Sequence, residues 1–312
     1  MTIAGTRRAV VAGGTGFVGR AVVEDLRRAG WAVTVVGRSV PRIRATFGDT
    51  VEAASWDDPH ALAQAAGAAC AVISFVGEPV VGRWTEAKRR RIRESRVDRT
   101  RALVSAMQAA PEPPSVFVSA SAVGYYGARA GRPDAPVDEG SSPGNDFLAE
   151  VCVAWEQAAE QAASAGVRVV RLRLGVVLGP GGFLAQILPI ARLGLLGPLG
   201  SGRQGFAWVG LSDVVGVVRS ALDDERYTGP VDVVGPTLAD QRTVARAIAR
   251  AVHRPAFVPT PAFVIRLLYG DGAEVVLADQ WVRPARLAAL GYGFEAATPE
   301  AAVEAALGPP GA

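Results

Sequence analysis

Three glycines near the start of the chain, Gly13, Gly16 and Gly19, have the spacing of a loop that holds phosphate groups. They follow a short apolar run, 9–12, and open a segment, 17–29, whose apolar residues have helical spacing. Glycine lets the backbone approach a phosphate, and the free N–H groups at a helix start attract its negative charge. The sequence therefore predicts a site for the pyrophosphate of a dinucleotide. The predicted contact residues are Gly13, Thr15, Gly16, Phe17, Val18 and Gly19.

A basic residue follows the second predicted strand, 32–37, where a dinucleotide-binding unit meets the adenosine ribose. An acid there binds the 2′-hydroxyl of NAD, whereas an arginine accommodates the 2′-phosphate of NADP. The chain has Gly37, Arg38 and Ser39 at this point and no acid close by. Because a carboxylate would repel a phosphate, we predict NADP(H) rather than NAD. The alternative is an ordinary surface arginine in an arginine-rich chain.

Arg96 lies on the inward face of a long basic helix, which we predict over 85–109. Ile92, Thr100 and Val104 share this face at i, i+4 spacing, and apart from Arg96 the stripe is largely apolar. An unpaired charge on a buried face is too costly, so Arg96 needs an anionic partner. A cofactor phosphate or a substrate anion would supply one. A buried carboxylate of the protein itself is the other interpretation.

The remaining charges of this helix resemble a nucleic-acid patch only superficially. Glu86, Glu94 and Asp98 are interleaved with the basic residues, and the net charge of the chain is only +3. A solvated helix face explains such a pattern. We expect no nucleic-acid partner.

Hydrophobic runs that alternate with helical segments must position these residues. The pattern predicts strands over 9–13, 32–37, 71–75, 115–119 and 168–172, with helices over 17–29, 59–66, 85–109 and 146–165. Such alternation is typical of a parallel sheet covered on both faces. We therefore predict an α/β fold, a doubly wound Rossmann sheet with a small, mostly helical C-terminal subdomain.

The regular pattern breaks at a Gly- and Pro-rich stretch, 178–205. Beyond it the sequence predicts a strand over 206–209, a helix over 214–222 capped by Ser212 or Asp213, a strand over 231–234 and a helix over 238–252. We predict a dinucleotide-binding domain over 1–235, with substrate-side insertions after 178, and a C-terminal subdomain over 236–312.

The composition, 49% hydrophobic and 20% charged over 312 residues, is that of a soluble globular protein. No stretch approaches the ~18 uninterrupted apolar residues of a membrane span, and no signal peptide precedes the first strand. Two cysteines, Cys70 and Cys152, provide neither a disulfide framework nor a zinc site. We expect a cytoplasmic monomer or homodimer without a metal centre or a membrane partner.

Several separated segments together resemble one family. They are 13–19, 74–78, 83–84, 95–97, 119–127, 155–156, 173–179 and 200–202, with Trp208 and Asp213. In this order they resemble the atypical NADP-binding short-chain dehydrogenase/reductase-like proteins known as epimerase family proteins, which have an NAD-dependent epimerase/dehydratase-like fold. Segments 284–287 and 291–294 look like the small domain of unknown function that ends those proteins.

The resemblance implies a cofactor site that extends beyond the glycine loop. Its implied contacts are Gly37, Arg38, Ser39, Phe75, Val76, Gly77, Arg96, Ser119 and Val177. Among them, Arg38 would face the adenosine phosphate, Arg96 would reach the cofactor from its helix, and Val177 would line the nicotinamide end. Members are described as oxidoreductases or epimerases without an agreed substrate. Some plant and cyanobacterial relatives are linked to plastid or cell division.

The catalytic centre that typical members of the wider superfamily share is incomplete in this chain. They use Ser, Tyr and Lys, where the lysine holds the nicotinamide ribose and lowers the pKa of the tyrosine. Ser121 fits the serine, but the Tyr-x-x-x-Lys window before Glu156 holds Leu148 and Cys152. The sole lysine, Lys88, lies on a different predicted helix. The tyrosine–lysine pair is therefore missing.

Tyr125 and Tyr126 follow Ser121 closely and are the candidate substitute acids. A tyrosine with an ordinary pKa is only about 0.1% ionised at pH 7, but it can give a proton to a developing alkoxide. Reduction therefore fits better than oxidation; packing of both rings under the cofactor is the alternative. We hypothesise an NADP(H)-binding, reductase- or epimerase-like protein that acts on a small molecule, with Ser121, Tyr125 and Tyr126 as catalytic candidates. The competing hypothesis is an NADPH sensor or partner-binding protein without turnover.

Overall fold

The computed structural model describes residues 7–308 and centres on a seven-stranded parallel sheet. The strands are β1 (Arg8–Ala12), β2 (Ala32–Gly37), β3 (Glu52–Ser55), β4 (Ala71–Ser74), β5 (Val116–Ala122), β6 (Arg129–Ala130), β7 (Arg168–Leu174), β8 (Val176–Leu178), β9 (Trp208–Gly210), β10 (Gly229–Val233) and β11 (Asp279–Gln280). The large sheet has the order β10–β7–β5–β4–β1–β2–β3. The direction of winding changes between β1 and β4, so the carboxyl ends of these strands border the crevice where such sheets bind ligands.

Helices cover both faces of this sheet. They are α1 (Phe17–Arg28), α2 (Val40–Phe47), α3 (Pro59–Gly67), α4 (Glu86–Gln108), α5 (Phe147–Glu160), α6 (Gly182–Arg192), α7 (Leu211–Asp223), α8 (Gln241–Ala251), α9 (Ala262–Tyr269), α10 (Ala273–Val276), α11 (Ala285–Leu290) and α12 (Pro299–Leu307). The predicted doubly wound α/β fold with a helical C-terminal region is confirmed.

The sheet strands are apolar runs because alternate side chains enter two separate cores. Val11 and Ile73 face the layer that contains α1 and α7, whereas Val10 and Val72 face the layer that contains α3 and α4. All four side chains are at most 1% exposed. Burial on both faces fixes the register of β1 against β4 and so the positions of their carboxyl ends.

The Gly- and Pro-rich stretch after 178 contains a helix that the sequence pattern did not predict. Helix α6 forms although Pro189 lies within it. Leu184 and Ala191 are fully buried in a core shared with α8 and α12. Tertiary packing of one apolar face therefore outweighs the hydrogen bond that proline removes.

The expected cap of the following helix was wrong. Helix α7 begins at Leu211, after Gly210, and no side chain caps it. The fully buried carboxylate of Asp213 instead accepts N–H groups of Glu295 and Ala296 at 2.7 and 3.2 Å. Asp213 thus ties the C-terminal region to the sheet layer.

The C-terminal region returns to the main sheet. Leu287 of α11 is fully buried in the core of the β-sheet, and strand β11 pairs with β6. The division of the chain at residue 235 stays a prediction. No helix within 7–308 is both long and apolar enough to cross a membrane.

Candidate functional site

The glycine loop joins β1 to α1 at the crevice, as the sequence predicts. Gly13 has a φ of +77°, and a Cβ atom there would lie 2.8 Å from the carbonyl oxygen of Phe75. A Cβ atom on Gly19 would collide with the carbonyl oxygen of Gly13. The loop backbone is therefore packed too tightly for side chains at these two positions.

The first turn of α1 has backbone N–H groups without a side-chain partner. Gly16 occupies the N-cap position and supplies no hydrogen bond, and the turn contains no acid. The next four helices are capped by the side chains of Ser39, Asp58, Thr85 and Asp146. An uncapped helix start behind a glycine loop fits a phosphate group.

Arg38 lies exposed directly after β2, next to the glycine loop in the sheet order. Across the described part of the chain it forms no ion pair with a carboxylate. Its neighbour Ser39 uses its hydroxyl to accept the N–H of Arg42 at 3.3 Å, which caps α2. Arg38 is thus available to an external anion, whereas the Ser39 hydroxyl already has a structural role.

The segment after β4 crosses the crevice near Arg38. Glu78 accepts a hydrogen bond from the sole lysine, Lys88, at 3.0 Å. That hydrogen bond lowers the pKa of the Glu78 carboxyl. Burial raises this pKa, and the charges of Lys88, Arg91 and Arg38 lower it further, so that the net shift is downward. Lys88 is therefore engaged in an ion pair away from the catalytic candidates.

The other predicted cofactor contacts lie within or directly after strands β4, β5 and β8. Val76 is buried and Phe75 and Val177 are half-buried, while Ser119 is buried in β5. The turn after β8 closes on the glycine loop, since a Cβ atom on Gly181 would lie 2.6 Å from the ring of Phe17. The structure thus places the segment after β4 and the turn after β8 against the glycine loop and the start of α1.

Arg96 projects from α4 toward the segment that follows β4. Its Nη1 donates to the carbonyl oxygens of Glu78 and Ile92 at 3.0 and 3.1 Å. Its guanidinium carbon lies 5.4 Å from the centroid of the Trp155 ring. Burial lowers the pKa of Arg96. Among residues 7–308 Arg96 forms no ion pair with a carboxylate, so the interpretation of Arg96 as the partner of a buried internal carboxylate is wrong.

Ser121 lies at the carboxyl end of β5 and is 2% exposed. Its hydroxyl donates to Oε1 of Glu156 at 2.7 Å. Arg173 on β7 binds the same carboxylate with two hydrogen bonds, from Nε at 2.8 Å and from Nη2 at 2.9 Å. Both charged side chains are 4% exposed. Ser121 is thus part of a buried ion-pair network.

Tyr126 continues this network toward β10. Its hydroxyl lies 2.9 and 2.8 Å from the two carboxylate oxygens of Asp232, and Nη1 of Arg173 donates to the hydroxyl oxygen at 2.9 Å. Burial raises the pKa of Tyr126, and the charge of Asp232 raises it further. Burial, followed by the charge of Glu139, also raises the pKa of Asp232. The Tyr126 phenol therefore keeps its proton and donates a hydrogen bond to Asp232.

Tyr125 differs from the other two candidates because it is half-buried and its hydroxyl has no hydrogen-bond partner within 7–308. The guanidinium carbon of Arg173 lies 3.4 Å from its ring centroid. Its ring also meets that of Tyr126 edge-on, with centroids 5.3 Å apart. The ring is therefore held on two sides while its hydroxyl stays available.

The positions of the missing tyrosine and lysine are occupied by apolar packing. Leu148 lies in a cluster with Trp84, Phe147 and Val275 of the C-terminal region. Cys152 is buried one turn further along α5, and burial raises the pKa of its thiol to about 12. Neither residue provides an acid or a base at neutral pH.

A cavity of about 650 Å³ lies beside this network. One wall consists of the segment from Tyr126 to Arg129 and the start of α5, and the other consists of α9 and α10 with Arg266 and Glu274. The cavity therefore lies between the sheet edge and the C-terminal region, with room for a small molecule.

Comparison with known proteins places the chain in a family. Residues 9–235 match the NAD dependent epimerase/dehydratase family, and residues 260–306 match a domain of unknown function, DUF1731. The chain belongs to the NAD dependent epimerase/dehydratase family. This confirms the predicted resemblance to epimerase family proteins and to their C-terminal domain of unknown function.

Relatives of this epimerase/dehydratase family member occur in plants, animals and bacteria. The chloroplastic epimerase family protein SDR39U1 homolog of Arabidopsis thaliana is 35% identical over 295 residues, 91% of this chain and 82% of the relative. The crystal structure of human epimerase family protein SDR39U1 (isoform 2) with NADPH is similar with a TM-score of 0.86 and 32% identity, over 96% of this chain and 99% of that one. The crystal structure of the nucleoside-diphosphate sugar epimerase from Corynebacterium glutamicum is similar with a TM-score of 0.76 and 28% identity, over 97% of this chain and 58% of that one.

The buried charged network of this family member, formed by Glu156, Arg173 and Asp232 with Ser121 and Tyr126, is not predicted by the sequence motifs. In the sequence, Glu156 and Arg173 belong to segments that resemble the family, and no motif singles out Asp232. A signal for Glu156 exists, because it shares a helical stripe with Ala149, Cys152 and Ala159, all buried. A lone charge on an apolar stripe needs a partner, and this is the argument that singled out Arg96.

Proposed function

We propose that this protein binds NADP(H) and carries out reductase- or epimerase-like chemistry on a small molecule. One observation carries the proposal: an uncapped helix start behind a tightly packed glycine loop faces a crevice that also presents Arg38, which has no carboxylate partner among residues 7–308. The first feature fits a pyrophosphate and the second a further phosphate. The human relative crystallised with NADPH supports the same cofactor.

NADPH would supply a hydride when bound, and the chain must then supply a proton to the substrate oxygen. Ser121 and Tyr126 direct their hydroxyls at buried carboxylates, so neither hydrogen is free. The Tyr125 hydroxyl has no such partner among the described residues and lies on a ring fixed by Arg173. We assign Tyr125 as the proton donor and Ser121 and Tyr126 as residues that position Arg173.

A second function, an NADPH sensor without turnover, is favoured by the packing around α5. Leu148 and Cys152 take the places of the usual tyrosine and lysine, and Leu148 is part of an apolar cluster. A protein that binds NADPH without turnover needs the cofactor loop but not the tyrosine–lysine pair, so apolar packing at residues 148 and 152 is compatible with a sensor.

A selective loss of affinity for NADPH over NADH tests the proposal that Arg38 binds the 2′-phosphate. Arg38→Ala should raise the Kd of NADPH about 10- to 100-fold, the range for a charge-assisted hydrogen bond, and leave the Kd of NADH nearly unchanged. Arg44→Ala, which removes the same charge from an exposed site on α2, should leave both values unchanged. Titrations followed by nicotinamide fluorescence measure them. Equal weakening of both cofactors would contradict the 2′-phosphate role.

A screen for NADPH oxidation distinguishes the enzyme proposal from the sensor proposal. Purified protein with NADPH is screened against carbonyl compounds by loss of absorbance of the reduced nicotinamide. The enzyme proposal expects oxidation with at least one compound, and Tyr125→Phe should lower kcat at least 100-fold, within the usual worth of a general acid. Tight NADPH binding without oxidation by any compound would favour the sensor.

A further inference from the structure

Exposed apolar side chains are concentrated in two segments, the loop that follows α6 and the stretch that leads into and through α9. Within residues 7–308, every large apolar residue that is more than half exposed lies there, with exposed fractions from 54% to 73%. We call these six residues together the α9 face: Leu193, Leu195, Phe257, Phe263, Leu267 and Leu268. Monomeric soluble proteins rarely expose such a group of large apolar side chains to water, so the α9 face marks an interaction surface.

The two segments adjoin, so that their side chains belong to one surface. Leu199 pairs with Thr260 in a parallel bridge. Closer to the end of α6, Nε of Arg254 donates to the carbonyl oxygen of Arg192 at 3.0 Å. These bonds hold the loop after α6 beside the stretch before α9, and α9 itself begins at Ala262.

The α9 face has the size of a protein interface. A large side chain has roughly 150–250 Å² of surface, so six residues that are about two-thirds exposed present on the order of 700 Å². The largest apolar patch of a typical monomer is only roughly 300–600 Å², whereas a stable interface takes about 800 Å² from each partner. One further protein surface of similar extent therefore suffices to cover this face.

Unpaired charges of opposite sign flank the α9 face along the chain. Arg254 precedes Phe257, and Glu274 of α10 follows Leu268. Both charged residues are exposed, and neither forms an ion pair among residues 7–308. An anionic bilayer attracts basic residues only, so the carboxylate of Glu274 disfavours a membrane as the occupant. A second copy of the chain, in contrast, supplies a partner for each of the two charges.

We propose that the α9 face is the interface of a homodimer, in which two copies pack their α9 faces together about a twofold axis. Such an axis brings the same patch of both subunits together, so the apolar residues cover one another and Arg254 of each copy meets Glu274 of the other. The inference does not depend on the proposed cofactor, and it selects the homodimer from the two assembly states expected from the sequence. Helix α9 also lines the cavity of about 650 Å³ through Arg266, so the dimer would support this wall of the cavity.

Sedimentation equilibrium of the full chain, from nanomolar to high micromolar concentration, tests the interface. Wild type should follow a monomer–dimer equilibrium. Leu267→Asp should raise the dimer Kd at least about 100-fold, because each copy would bury an uncompensated carboxylate in the interface. Leu238→Asp makes the same substitution at an exposed leucine outside the α9 face, and it should leave the Kd within about threefold of wild type. Thermal unfolding confirms that both variants fold.

A charge reversal tests the arrangement of the two copies without disturbing the apolar residues. Arg254→Glu should raise the dimer Kd about 3- to 30-fold, because two exposed ion pairs are lost per dimer and like charges meet instead. Combination with Glu274→Arg restores opposite charges and should recover most of the wild-type affinity.

The inference is overturned if wild type sediments as a monomer throughout this concentration range or if Leu267→Asp dimerises like wild type. It is also overturned if the double variant dimerises no better than Arg254→Glu alone. Co-sedimentation with phosphatidylglycerol vesicles tests the other occupant. A monomeric wild type that binds these vesicles, with binding abolished by Leu267→Asp, would assign the α9 face to a membrane and overturn the homodimer.

Discussion

The buried ion pair between Glu156 and Arg173 makes a sharp prediction about stability. Glu156→Gln keeps the size of the side chain and removes its charge. The wild-type carboxylate accepts three hydrogen bonds of 2.7 to 2.9 Å, one from Ser121 and two from Arg173. Hydrogen bonding to Glu156 and the charge of Glu156 raise the pKa of Arg173 in spite of the lowering effect of burial. The guanidinium therefore stays charged when its partner is neutralised.

The expected loss in the free energy of unfolding follows from the burial of both Glu156 and Arg173. Removal of one partner from a buried ion pair costs about 3–5 kcal/mol, because the remaining charge is left uncompensated. Asp232 moderates this loss only indirectly, since Tyr126 lies between it and Arg173. With an unfolding entropy of roughly 2.1 cal/mol/K per residue, a chain of 312 residues should lose about 5–8 °C in Tm.

Urea unfolding measures the free energy of unfolding, and thermal unfolding measures Tm. Glu160→Gln is the control, because Glu160 lies one turn later on α5, is 49% exposed and forms an ion pair with Arg171 at 3.4 Å. It should change the free energy of unfolding by less than about 1 kcal/mol. A Glu156→Gln variant as stable as this control would refute the view that the network is an energetically coupled unit.

Three further predictions test separate parts of the structure. Gly19→Ala should raise the Kd of NADPH at least tenfold, because its Cβ would collide with the loop backbone, whereas Gly293→Ala, with no atom within 4 Å, should not; equal Kd values would contradict the packing of the loop. A maleimide at pH 8 should label the exposed Cys70 and spare Cys152 until the protein is denatured, because burial raises the pKa of the Cys152 thiol to about 12; rapid labelling of a Cys70→Ser variant would argue against that burial. Asp213→Asn should cost about 1–3 kcal/mol in urea unfolding, because one of two backbone N–H groups loses its acceptor; an unchanged midpoint would show that this link contributes nothing.

The central sheet could be predicted because strong apolar runs carry their own signal. Strands β1, β2, β4, β5 and β7 were each placed within a few residues of their bounds. Strand β3 escaped prediction because it is an edge strand made of Glu52, two alanines and Ser55, with one fully buried side chain. Its position depends on pairing with β2, which a local pattern does not contain.

The candidate site likewise contains residues that the sequence predicts and residues that it does not. The glycine loop and Arg38 have local signals, since spacing and position along the chain suffice to find them. The network of Glu156, Arg173 and Asp232 joins α5, β7 and β10, and only the sheet order brings these residues together. The availability of a hydroxyl depends on such long-range partners, so the sequence could not rank Ser121, Tyr125 and Tyr126.

The two arginines near the candidate site restrict how a proton can reach a substrate. Arg96 and Arg173 are held by fixed hydrogen bonds, and a guanidinium does not release its proton in a protein, so neither can act as an acid or a base. They can stabilise negative charge and orient oxygens, which is half of what the usual lysine does. In the proposed reaction the proton therefore comes from a hydroxyl, and among residues 7–308 Tyr125 is the candidate whose hydroxyl does not face a carboxylate. Ser121→Ala should therefore mainly lower stability, whereas Tyr125→Phe should mainly lower kcat; the reverse pattern would transfer the role of the acid to Ser121.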